Sequence, residues 1–222
     1  MKAFFLAILA LCFVVLSCKK SNPAASDPPQ IYMSYSSGSF WIYETQNNLT
    51  STTTSNTVTS SSRDSVITSK TYHVFTNSNG ATNDYYNITG NDYYTFKNLT
   101  ATAGINPTEL IYLKDNAAVG ANWSHTINFP LSGVPTTVPV VFTNTITEKG
   151  ITRSVNGTTY TNVIHITTTI AVTGLPAGSI TTDIQSYYAG KYGLIESKNK
   201  ISIPSLTINI DQNTLLKSAT IN

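Results

Sequence analysis

Runs in which apolar and polar side chains alternate one by one constrain this chain more than any other feature. Ile164, Ile166, Thr168, Ile170 and Val172 fall on one side of an extended backbone, while His165, Thr167 and Thr169 fall on the other. That period of two belongs to a strand with one buried face. Val140, Phe142 and Ile146 repeat it against Val141, Thr143, Thr145 and Thr147, and Leu206, Ile208 and Ile210 against Thr207, Asn209 and Asp211. Turn residues separate the runs: Asn79-Gly80, Gly90-Asn91, Asn156-Gly157 and Pro176-Ala177-Gly178. Tyr85 to Ile88 and Asp92 to Phe96 form the two arms of a hairpin around Gly90-Asn91. Nothing outside the N-terminus reads as a helix. The expected fold is all-β: a single curved antiparallel sheet of roughly ten to twelve strands, forming a half-barrel or a barrel. A two-sheet sandwich is the alternative.

Thr, Ser and Asn supply 35, 24 and 21 of the 222 residues. Thr is β-branched and suits the solvated face of a sheet, so this richness needs no special function. The stretch Ser51 to Ser62 is nearly all Ser and Thr; it reads as a solvated edge strand or a long flexible loop, with strand ends around a disordered tip as the favoured form. Only 24 residues are charged, 13 basic and 11 acidic, for a net charge of +2. So even a balance excludes the clustered Lys and Arg of a nucleic-acid surface.

The N-terminus reads as a lipoprotein signal over residues 1–17. Lys2 precedes the apolar run Ala3 to Leu16, which is too short for the roughly 20 residues of a membrane span but suits a secretory signal. Val15-Leu16-Ser17-Cys18 follows, resembling the lipobox of bacterial lipoproteins, in which the cysteine is acylated after cleavage. Two or more acyl chains hold a protein stably on a membrane. Cys12 would leave with the signal, so Cys18 is the one thiol of the mature chain. Residues 18–37 are expected to be the lipidated cysteine and a flexible tether with Pro23, Pro28 and Pro29, and residues 38–222 the β-domain. Lys19 and Lys20, in place of acidic residues after the cysteine, favour an outer-membrane position facing the periplasm.

Four blocks resemble the signposts of a large group of uncharacterised Bacteroidetes lipoproteins. They are Gly38-Ser39-Phe40-Trp41-Ile42-Tyr43, Val119-Gly120-Ala121-Asn122-Trp123, Tyr160 to Ile166, and Tyr187-Tyr188-Ala189-Gly190-Lys191-Tyr192-Gly193-Leu194. In the last, Gly190 and Lys191 stand in the reverse of the group's order. The resemblance implies a curved antiparallel sheet, similar to the half-barrels of periplasmic lipoprotein carriers, and carries no catalytic residues. Trp41, Trp123, Phe142, Ile164, Ile166 and Tyr188 are the expected core residues.

Catalytic signals are sparse. His73, His125 and His165 lack metal-site spacing, and no HExxH or GxSxG occurs. Ser197 to Lys200 matches a bare SxxK without its companion motifs. His125 shares a face with Trp123, Ile127 and Phe129, as a core histidine would, whereas His73 and His165 are expected on solvated faces. No cofactor, metal site or catalytic residue is expected. The remaining lead is aromatic: Tyr85, Tyr86, Tyr93, Tyr94 and Phe96 could line a ligand groove. Plain cross-strand pairing, with one tyrosine of each pair inside, is the structural alternative. The chain is therefore expected to be a non-enzymatic, membrane-anchored binder of a lipid or other apolar ligand on a concave sheet. Glycan binding or an envelope-interaction module is the second reading.

Overall fold

The computed structural model describes residues 30–80, 82–97, 105–130, 137–176, 178–204 and 207–222. Cys18, Leu206 and Ala177 lie outside them. Twelve strands form one antiparallel sheet: β1 (Phe40–Asn47), β2 (Thr52–Ile67), β3 (Lys70–Asn77), β4 (Asp84–Thr89), β5 (Asp92–Lys97) and β6 (Thr108–Lys114), then β7 (Asn122–Pro130), β8 (Thr137–Val155), β9 (Thr158–Val172), β10 (Thr181–Ala189), β11 (Gly193–Ile203) and β12 (Ile208–Thr220). The spatial order is β6-β5-β4-β3-β2-β1-β12-β11-β10-β9-β8-β7. Each strand pairs with its neighbours in sequence except at β6 and β7, and the first and last strands pair with each other. The sheet curls into a nearly closed barrel with no helix among the described residues, as the alternation predicts.

No ladder joins β6 to β7. There the Trp123 indole N–H donates to the Ile111 carbonyl at 2.8 Å, and the Asn144 amide reaches the same oxygen at 3.4 Å. Side chains thus bridge a seam that backbone pairing leaves open. Trp123 is half-buried, a consequence of standing at this edge rather than in the middle of the sheet.

The alternation places the cores. Ile164 and Ile166 face inward with Tyr188, Ile146, Leu113 and Tyr93. Trp41, Phe75, Leu216 and Ile195 form a second cluster, and Phe142 packs beside Val140, Val172 and Ile203 in a third. Ser51 to Ser62 departs from its expected disordered tip. Thr52 to Thr59 pairs without interruption with β1, because exposed Thr side chains suit an outer sheet face. A bulge between Ser60 and Asp64 then re-aims the strand.

Two-residue hairpins favour turns with positive φ at both positions, for which Asn-Gly is the best sequence. Asn156-Gly157 meets that need between β8 and β9, at φ 48° and 79°. Between β2 and β3 the same conformation falls on Thr68 and Ser69, at 47° and 68°. A β-branched residue there is strained. Replacing Thr68-Ser69 by Asn-Gly is expected to raise unfolding free energy by about 0.5–1 kcal/mol, read as a higher urea midpoint at unchanged slope.

Candidate functional site

The barrel interior is not filled. A cavity of about 300 Å³ lies within it, walled by Tyr43, Val58, Tyr86, Tyr112, Tyr188 and Leu194, with Met33 at one end. Thr45, Asn56, Lys97 and Thr214 line its other end. Met33, Val58 and Tyr188 are buried, whereas Thr45, Asn56, Lys97 and Thr214 are half-exposed. The cavity therefore has a closed apolar end and a wetter polar end.

The closed end is made by a segment expected to be tether. Residues 30–37 pack against the barrel instead, with Tyr32 and Met33 buried. The Tyr32 backbone N–H donates to the Tyr93 hydroxyl at 3.1 Å, and its own hydroxyl donates to the Asn162 carbonyl at 2.9 Å. One residue thus ties β5 to β9. The Lys191 N–H donates to the Ile31 carbonyl at 2.6 Å, and the Ser34 N–H to the Lys191 carbonyl at 3.3 Å. The glycines of the β10–β11 turn make room for this strap. At Gly193 a Cβ would sit 2.8 Å from the Met33 sulfur, and at Gly190 it would run into the Gln30 side chain. Lys191 holds the left-handed conformation, φ 68°, between them. A side chain at position 190 would require the Gln30 side chain to move.

Farther along the strap, Tyr35 stacks on His73, ring centroids 4.9 Å apart. His73 lies 2.9 Å from Asp64 through Nδ1 and 2.9 Å from the Ser60 hydroxyl through Nε2. Asp, His and Ser in this order are the parts of a hydrolytic triad. Here Ser60 is 1% exposed and its hydroxyl donates to the Tyr35 carbonyl at 3.1 Å, beneath the stacked ring. Through the Tyr35 carbonyl and ring the trio is engaged with the strap.

His73 and His165 are not on solvated faces. His73 is covered by Tyr35, and the His165 ring lies 4.1 Å from its cross-strand partner Tyr187, with Nδ1 2.8 Å from Glu148. His73 shares the inward face of its cross-strand partner Tyr86, whereas His165 points outward and is covered by the larger ring beside it. Arg153 lies over the same Tyr187, 4.0 Å from its centroid, and pairs in bidentate fashion with Glu196 at 2.8 and 2.7 Å. His125 stacks on Phe142 at 5.3 Å with Nδ1 buried and without a protein partner, and burial lowers its pKa.

The five aromatic candidates divide between the two faces. Tyr86 lines the cavity, and Tyr93 beneath the strap donates its hydroxyl to Asp115 at 2.8 Å. Tyr85 and Phe96 face each other across β4 and β5, edge to face at 6.4 Å. The ammonium of Lys70 lies over Tyr94, 3.4 Å from its centroid. This is the one-in, one-out arrangement of cross-strand pairing, and the outer members form no bare stacking platform. Lys97 forms an ion pair with Asp84, whose other oxygen accepts from the Asn77 amide at 3.0 Å. No local pattern signals this trio, since its members come from three strands. Among the described residues no group of His, Cys, Asp and Glu could hold a metal.

Burial holds the cavity phenols neutral. It raises the pKa of Tyr43, Tyr86 and Tyr112 well above the ordinary 10.0, and pushes Tyr188 up to about 12. Unfolded phenols ionise near 10.0, so the stability tied to these groups is complete below that pH. It is lost as pH rises from 10 through 12. Ultraviolet titration of the native protein is expected to show these four tyrosines ionising late and together with unfolding, against a single early class in denaturant.

No protein-family model matches the sequence, and no curated protein matches it. Among solved structures, the barrel is similar to a "putative lipoprotein" from Parabacteroides distasonis, with a TM-score of 0.53 and 10% identity, over 86% of this chain and 99% of that one. A "putative exported protein with YmcC-like fold" from Bacteroides fragilis matches over the same shares at a TM-score of 0.43 and 8% identity. The first likeness shows a common fold, a curled antiparallel sheet, across nearly the whole of that lipoprotein and most of this chain.

Proposed function

We propose that this chain is a lipid-anchored protein of the bacterial cell envelope whose barrel interior holds an apolar ligand, without catalysis. The anchor rests on Val15-Leu16-Ser17-Cys18 behind a short apolar run, and the description of the similar Parabacteroides distasonis structure agrees with it. The outer membrane, periplasmic side, is the proposed location, from Lys19 and Lys20.

The observation that carries the ligand reading is the cavity. Its volume falls at the lower end of the roughly 300–1,000 Å³ range of small-molecule sites, and such sites are mostly apolar with a few placed polar groups. Glycan binding has less support, because Lys70 covers Tyr94 and the neighbouring rings pack edge to face.

Two experiments test the reading. Cys18→Ala is expected to abolish labelling of the protein by a fatty-acid analogue and to leave the signal uncleaved; normal labelling would remove the anchor. Extraction of the purified protein into organic solvent, followed by mass spectrometry, is expected to return an apolar small molecule. A Val58→Trp variant, whose indole occupies the cavity, is expected to return none.

A further inference from the structure

Resting on that reading, we infer that the cavity is a one-ended slot for a single-chain amphiphile, with the chain running toward Met33 and the polar head between Thr95 and Lys97. Four observations lead there. First, the slot has a floor: Met33 is buried and held in place by the notch at Gly193. A ligand must enter from the end lined by Thr45, Asn56, Lys97 and Thr214. Second, about 300 Å³ gives room for one chain and not for the two chains of a bilayer lipid.

Third, the wall carries polar groups that the protein leaves unpaired. Thr95 lines the cavity and is 7% exposed, and its hydroxyl has no hydrogen-bond partner in the protein. The Tyr112 hydroxyl on the same wall is also buried without one. Dry cavities that stay empty are lined by apolar groups, whereas buried polar groups are paired. These two hydroxyls therefore mark where a ligand offers hydrogen-bonding atoms. Fourth, Lys97 stands one inward step above Thr95 on β5, about 6.8 Å along the strand, and its charge is met by Asp84. An uncharged head with several oxygens fits this spacing, as in a glycerol ester of one fatty acid. Below Thr95 the slot meets the chain with Val58, Tyr188, Leu194 and Met33.

The test uses the chain from Lys19 onward, which contains every strand, the strap and every contact described above. N-phenyl-1-naphthylamine, a neutral apolar fluorophore, reports occupancy of the interior, and 1-monoacylglycerols from octanoyl to hexadecanoyl compete with it. Affinity is expected to rise about fourfold per methylene, the equivalent of about 0.8 kcal/mol, and then to level off where the chain reaches Met33. Diacylglycerols of the same chains are expected not to compete. Thr95→Val and Tyr112→Phe are each expected to weaken monoacylglycerol binding about tenfold while fluorophore binding holds within about twofold. Competition that ignores chain length, equal competition by diacylglycerols, or equal loss of both probes in the two variants would overturn the single-chain slot while leaving an apolar interior site standing. No fluorophore binding at all would overturn both.

Discussion

The pairing of β1 with β12 is the constraint on which the rest of the barrel depends. Phe40 to Asn47 runs antiparallel to Gln212 to Thr220, with one irregularity between Ile42 and Tyr43. Without this ladder the chain would be two separate meanders, each with an open edge at its end. With it, both meanders become arms of one sheet, and their curl brings β6 and β7 face to face. The interior clusters then span elements far apart in sequence, as Trp41, Phe75 and Leu216 show. Such long-range closure is slow to form, since its loop entropy is lost before its contacts are gained.

The strap supplies the second constraint, because a barrel of twelve strands encloses more space than its own side chains fill. Tyr32, Met33 and Tyr35 enter from one end, and the sheet is shaped to receive them. Asn162 adopts φ 53° in the middle of β9, a conformation that Asn tolerates better than most residues, and its carbonyl accepts the Tyr32 hydroxyl. Beyond that kink, Val163, Ile164, His165 and Ile166 are all buried, so the alternation of burial is suspended over four residues. The irregularities of the sheet are thus concentrated where the strap lands. The part of the interior that the strap does not reach remains as the cavity.

Much of the fold was legible in the sequence because a strand writes its pattern locally. The alternation at Ile164 to Val172, the Gly90-Asn91 hairpin and the Asn156-Gly157 turn each depend on residues a few positions apart. What depended on distant partners was not legible. Tyr32 and Met33 sit in a stretch whose composition resembles a linker, and their burial is decided by glycines more than 150 positions away. The same holds for His73 and His165, read as solvated from their strands alone and covered by rings from other elements. For the five aromatic candidates, the sequence placed neighbours on opposite faces, but only the three-dimensional closure told which face was the interior.

The seam between β6 and β7 has a topological consequence. Followed around the barrel from β7 through β12 and on through β1 to β6, the sheet is a single uninterrupted up-and-down meander. The covalent chain begins partway round that circuit, and residues 115–121 cross the one gap in it. Threading and architecture are therefore out of phase by half a turn. A rearranged gene that opened the chain at the seam and joined the ends beside β1 and β12 would encode the same ladders in the same order. In that cyclic sense, the strand edges at the seam are the true ends of the sheet, while the first and last strands of the chain lie at its middle.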